Sequence, residues 1–433
     1  MGFVDVIESL LRDIALPRMA PVRQKFDGER LVDPVRELHA RLRGEPTVGQ
    51  VAAGARVAVA VGSRGMARLP ELVAALVAEL KAAGARPFIV PAMGSHGGAT
   101  AEGQQAVLAQ LGVTEETAGA PVVSSLDVVL LGHLPSELPV YVDRAAAAAD
   151  AIVVVNRVKP HTAFRGPYES GLMKMIAIGL GKQKGAEACH QLGFKHMAQA
   201  VPAVAGLIMQ RLPVAFAVAT VENAYDEIAR IEVVPAADIA AVEPELLADA
   251  RARMPFLPFP ELDVLVIDWI GKNISGDGMD PNITGRYPTP YASGGPVVNK
   301  LAVLDLTAAS EGNANGVGTA DFTTRALADK IDFAAMYANG LTSTVCAPTK
   351  LATVLPTDEL ALKAAVKTSN ILDYGACRLV RVENTLRLDR MWVSEALLPS
   401  LAALPSVTVC GELRPMAFDD SGSVAKGPQD YDW

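Results

Sequence analysis

The feature that most constrains this chain is a strand–loop–helix unit written twice in succession between residues 56 and 111. Arg56-Val-Ala-Val-Ala-Val61 is a short β-branched run of the kind that forms a buried strand, and it ends at Gly62-Ser-Arg-Gly65. Leu69 to Ala83 then carries apolar residues at helical spacing and closes at Gly84. Pro87-Phe-Ile-Val-Pro91 predicts a second strand ending at Gly94-Ser-His-Gly-Gly98, and Ala101 to Leu111 a second helix with Thr100 as its N-cap. Such alternation is the signature of a parallel sheet. Its glycine-rich loops fall at the carboxyl ends of the strands, where open α/β sheets bind ligands.

The pattern continues downstream. Val128–Leu131, Ala151–Val155 and Val214–Val221 read as strands, and Met197–Met209 as a helix. Pro255-Phe-Leu-Pro-Phe-Pro260 breaks the pattern. A further α/β unit follows, with strands at Val264–Ile270 and Leu301–Leu306 leading into the loops 275–280 and 312–318. The expected fold is therefore α/β. Two domains, 1–258 and 259–433, carry parallel or mixed sheets flanked by helices, with the active site in the interdomain cleft. Residues 1–50 read as a helical lead-in and an extended arm, and the polar stretch from Asp419 as a surface tail.

At 433 residues the chain can bury a sizeable core. A formal net charge of -9 disfavours nucleic acid as a partner. Cys189, Cys346, Cys377 and Cys410 are far apart and form no CxxC, so a reducing compartment is expected. The first residues show no signal peptide, and no stretch of about twenty uncharged apolar residues predicts a membrane span. The expected location is the cytoplasm.

Six histidines serve the whole chain, and histidine is both the side chain that titrates nearest neutrality and the commonest metal ligand. His96 stands in the loop Gly94-Ser-His-Gly-Gly-Ala-Thr100, where it is either a ligand-facing group or an exposed side chain on a tight turn. His161 follows Val158-Lys-Pro at a strand end and has the same two readings. Lys174, in Gly171-Leu-Met-Lys-Met-Ile-Ala-Ile178, either snorkels to water or is held in a pocket, where a desolvated amine becomes a nucleophile. His190, beyond Gly179-Leu-Gly-Lys-Gln-Lys184, is a ligand or a helix-surface residue. Gly179-Leu-Gly-Lys-Gln183 is not a P-loop, because Ile176 and Gln183 stand where a glycine and a Ser/Thr are needed. Asp277-Gly-Met-Asp280 lacks the alternating ligands of an EF-hand. His39, His133 and His196 have no motif context.

Taken together, Arg64, the stretch Ser95-His-Gly-Gly-Ala-Thr-Ala-Glu102, Pro160-His161, Ser170-Gly-Leu-Met-Lys174 and His190 resemble the nickel-pincer lactate racemase family over most of the chain. The resemblance implies that Lys174 carries a pyridinium bis-thiocarboxylic mononucleotide through a thioamide bond. It implies that His190 joins the cofactor's carbon and two sulfurs around a square-planar nickel. It makes His96 and His161 the acid/base pair, Arg64 a partner of the substrate carboxylate, and Arg286 a loosely matched basic group of the second domain. The implied reaction is racemisation or epimerisation at C2 of a 2-hydroxy acid. Hydride leaves C2, a planar 2-keto acid forms, and hydride returns to its other face. The implied partners are the substrate and the proteins that make the cofactor.

The sequence also departs from the family. Val61 replaces an aspartate, and His96-Gly97-Gly98 replaces a His-Arg-Pro triplet. The spacing from His161 to Lys174 is a few residues longer than usual. These changes point to a substrate larger than lactate, such as a sugar acid or an aryl hydroxy acid. The alternatives are a non-catalytic carrier of the nickel nucleotide and a related enzyme that no longer uses nickel.

Overall fold

The computed structural model describes residues 3–63 and 65–433. The chain divides into two compact units, 27–254 and a second built from 1–26 together with 255–433. The extended arm explains the discontinuity. Met19–Gln24 hydrogen-bonds antiparallel between Arg387–Ser394 and Val407–Val409, so it is a strand of the C-terminal unit's sheet. The expected boundary at 258/259 gave the arm to the first unit, because an isolated extended run shows nothing of its pairing partner.

In the 27–254 unit the sheet runs Arg86–Pro91, Arg56–Val61, Ala151–Arg157, Val214–Glu222, Ile228–Pro235. The first four strands are parallel and the last is antiparallel. Val57, Val59, Val61, Val153 and Val155 pack against Leu72, Val73, Leu76 and Leu80 of the helix Leu69–Ala82. The alternate residues Ala58, Ala60, Ile152 and Val154 are also fully buried. Burial on both faces is why these strands read as unbroken apolar runs. Thr100 caps the helix Ala101–Gln110 by accepting from the Gly103 amide at 3.0 Å. Val128–His133 is a strand too, but it pairs with Pro139–Asp143 in a separate hairpin.

In the other unit five parallel strands run in the order Thr353–Leu355, Phe322–Thr324, Val297–Leu306, Glu261–Ile270, Leu379–Asn384. The antiparallel strands Arg387–Ser394, Met19–Gln24 and Val407–Val409 continue the sheet. The segment from Asp419 is not a loose tail. Tyr431 is 2% exposed and donates its hydroxyl to Asp268 at 2.9 Å, and the Trp433 ring lies 4.7 Å from that of Trp392. Asp268 also takes a bidentate contact from Arg381 at 2.7 Å. A polar stretch with two aromatic residues at its end thus folds back as a plug. No helix among the described residues is long and apolar enough to cross a membrane.

Candidate active site

The site in the 27–254 unit is built on loops leaving the carboxyl ends of three parallel strands. Arg56–Val61 leads to Gly62-Ser63, Arg86–Pro91 to the His96 loop, and Ala151–Arg157 to the His161 loop. The His96 Nδ1 hydrogen-bonds the Ser63 hydroxyl, which joins the first two loops. The His96 turn is very tight: a Cβ on Gly97 would lie 2.6 Å from the Gln104 amide nitrogen, and its φ of +66° suits glycine. The His96 side chain itself is exposed. Arg64 lies outside the described residues. Its flanks are anchored by Glu222, which accepts from the Ala67 amide at 2.7 Å and pairs with Arg157.

His161 is fixed by its backbone and its ring. Its amide donates to Glu169 at 2.7 Å, and its Nδ1 accepts from the Ala163 amide at 3.0 Å. In the neutral ring the proton therefore sits on Nε2. The buried Glu169 carboxylate also accepts from the Gly166 amide at 3.0 Å and from Arg251 at 2.5 Å. Reciprocal backbone bonds between Lys159 and Ser170 close the loop at its base.

Lys174 ends a single helical turn, Leu172–Lys174, that passes directly into a π-helical segment, Met175–Gly179. The Leu180 amide reaches back to the Met175 carbonyl at 2.9 Å, spanning five residues. Such segments are uncommon and concentrate at functional sites. The residues around Lys174 are buried, whereas Lys174 is only half-buried. The start of the turn is held by Asn156, which donates to the Gly171 carbonyl at 2.8 Å, and by Glu243, which accepts from the Met173 amide at 2.8 Å. Burial pushes the Glu243 carboxyl up to about 7, against the lowering effect of the Met173 and Leu172 amides. A Cβ on Gly171 would stand 2.2 Å from this carboxylate, so glycine is needed there for close approach.

His190 lies in the last turn of the helix Lys182–Gln191. Its ring stacks on Phe194 with centroids 5.8 Å apart. Phe194 is also 5.9 Å from the His161 ring, and Phe164 is 4.5 Å from it. One buried phenyl ring is therefore a shared neighbour of the two histidines. The His161 basicity is held well below its ordinary value, first by burial and then by the positive charges of Lys174, Lys159, His190 and Arg165. Lys174 and His190 thus both lie within electrostatic reach of His161. The His96 loop joins the same region through the Gly94 amide, which donates to the Gly179 carbonyl at 3.2 Å.

The other amines near Lys174 are differently placed. Lys182 is fully buried, paired with Asp143 at 3.2 Å and hydrogen-bonded to the Pro91 carbonyl and Gln104. Lys184 is exposed. Arg286 belongs to the other unit, where one guanidinium nitrogen donates to the Asn299 carbonyl at 2.7 Å and to Asp321 at 2.8 Å. His39 pairs with Glu79 at 2.6 Å, and His133 and His196 are exposed.

Sequence reasoning missed Phe194, Glu169, Glu243 and Gln104. Phe194 left a trace, since it stands four residues beyond His190 at helical spacing, although Gly193 bends the chain between them with a φ of +72°. Glu169 and Glu243 left none, because a carboxylate that binds backbone amides carries no motif.

The comparisons with known proteins bear on this arrangement. Residues 23–201 match the family model described as the lactate racemase N-terminal domain. A solved structure, that of the lactate racemase apoprotein from Thermoanaerobacterium thermosaccharolyticum, is similar at 13% identity and a TM-score of 0.48, covering 90% of this chain and 96% of that one. No curated protein matches the sequence. The matched segment includes His96, His161, Lys174 and His190. Residues 23–201 are thus similar to a lactate racemase N-terminal domain.

Proposed function

We propose that this chain is a racemase or epimerase acting at C2 of a 2-hydroxy acid, with a nickel-pincer nucleotide held on Lys174 and His190 as the nickel ligand. The observation that carries the reading is the gathering of His161 and His190 about Phe194, with Lys174 and His190 both in electrostatic reach of His161.

The residues fit such a group. Lys174 is the half-buried amine of an otherwise buried turn, while Lys182 is engaged by an ion pair and two hydrogen bonds. Among the described residues no three His, Cys, Asp or Glu side chains gather to hold a metal, so an ion at His190 needs donors from outside the chain. The nucleotide, made by other proteins, supplies those donors and, when bound, the carbon that accepts and returns the C2 hydride.

The chain's own residues then manage the proton and the substrate. His161 stays neutral to well below its ordinary pKa, so it is ready to take the hydroxyl proton at neutral pH. His96, held by Ser63, serves the opposite face and supplies the proton in the return step. Arg64 takes the carboxylate as a bidentate partner. The small residues Gly97 and Gly98 beside His96 support a substrate larger than lactate. The proposed location is the cytoplasm.

The test is a panel of lactate, malate, aryl hydroxy acids and aldonic acids, each deuterated at C2, given to protein produced together with the cofactor-making enzymes. The expected result is inversion with the label retained at C2. Washout of label into solvent would exclude hydride transfer, and inversion of none of these acids would exclude the function.

A further inference from the structure

The amine of Lys182, which the proposed reaction does not use, sits in a buried polar cluster. Lys182 opens the helix that carries His190 and adopts a left-handed φ of +54°, a conformation that a non-glycine residue keeps only where its surroundings fix it. Its side chain is fully buried, donates to the Gln104 side-chain oxygen at 3.1 Å and to the Pro91 carbonyl, and is paired with the Asp143 carboxylate at 3.2 Å. Burial lowers its pKa, and Asp143 opposes that shift.

Gln104 continues the chain of contacts. It is fully buried, and while its oxygen accepts from Lys182, its NH2 group donates to the Gly94 carbonyl at 2.8 Å and to the His96 carbonyl at 3.3 Å. The path therefore runs from the helix of His190, through Lys182 and Gln104, to the backbone of the His96 residue itself. Asp143 fixes the third side, because its other oxygen caps the turn Arg144–Ala147 through the Ala146 amide at 2.8 Å.

We infer that Lys182, Gln104 and Asp143 are positioning residues that set the His96 loop against the helix bearing His190. The catalytic meaning of this inference rests on the racemase reading, but its structural content does not. The Gln104 side-chain amide is the part of the network that grips the loop, because it donates to two of the loop's backbone carbonyls, those of Gly94 and His96.

The experiment uses the full-length apoprotein. Lys182→Met leaves Asp143 buried without its cation and risks failing to fold, so the informative variants are Gln104→Leu and Gln104→Glu. Leucine removes both ends of the link, whereas glutamate keeps an acceptor for Lys182 and cannot donate to the loop carbonyls. Both variants should speed amide exchange in residues 94–100 at least about tenfold, leaving the strands 56–61 and 151–157 as slow as in the parent. In both, the ¹⁵N resonance of the His96 Nδ1 should move toward that of an imidazole without a hydrogen bond, as the contact with Ser63 loosens. An unchanged Nδ1 resonance with unchanged loop exchange in either variant overturns the inference, as does a uniform rise in exchange across the unit. Neither readout needs turnover. Failure of the parent to racemise any acid would therefore strike the functional reading alone.

Discussion

Glu243→Gln is the perturbation whose size follows most directly from the structure. The Glu243 carboxyl is buried and raised from 4.5 to about 7. The folded pKa lies above the unfolded one, so the contribution to stability is fully present below about pH 4.5 and is lost as pH rises through about 7. At 1.36 kcal/mol per pH unit, the ionised side chain costs the fold roughly 3 kcal/mol relative to its protonated form. Glutamine keeps an acceptor for the Met173 amide and never ionises. The variant should therefore match the parent near about pH 4 and exceed it by about 3 kcal/mol near about pH 8. Urea unfolding at both pH values, followed by far-ultraviolet circular dichroism, gives the difference. Fluorescence is the wrong probe, because Trp269, Trp392 and Trp433 all belong to the other unit. A stability difference that does not change with pH would refute the reasoning, since it would mean that Glu243 is ionised, or relieved by water, throughout the range.

Lys174→Ala should abolish the covalent adduct detected by intact-protein mass, and an adduct that persists would move the attachment to another lysine. His190→Ala should lower nickel content in elemental analysis while the Lys174 adduct remains, and undiminished nickel would place the ligand elsewhere. Replacing either His96 or His161 by alanine should slow racemisation on the order of a hundredfold to ten-thousandfold, because each direction of the reaction uses both groups. The lowered basicity of His161 predicts that the acid limb of kcat/KM falls below pH 6.5, the ordinary histidine value; a limb above that value would contradict the burial described for its ring.

The fold was legible where local pattern suffices. The strands Arg56–Val61 and Arg86–Pro91 are apolar on both faces because both faces are covered, and that shows in the residues themselves. The loops at their ends followed from glycine placement. What depends on distant partners was not legible. Met19–Gln24 is a strand only because Arg387–Ser394 lies beside it, and the end of the chain is buried only because Tyr431 finds Asp268. The same limit applied within the site. His96, His161, Lys174 and His190 stood out by type and setting, whereas Glu169 and Glu243 serve by accepting from backbone amides, an arrangement that imposes no pattern on the sequence around them.

The π-helical segment Met175–Gly179 has a consequence for how this site tolerates length changes. A π turn is an α-helix with one residue too many, so removing a single residue between 175 and 179 restores ordinary helical winding. Each residue of an α-helix advances about 100° around the axis. The deletion would therefore leave an apolar helix able to pack, yet swing Lys174 about a quarter-turn away from the ring of His161. Register, more than residue identity, is the setting on which this lysine depends, and a one-codon loss would erase it while leaving His96, His161, Lys174 and His190 in the chain.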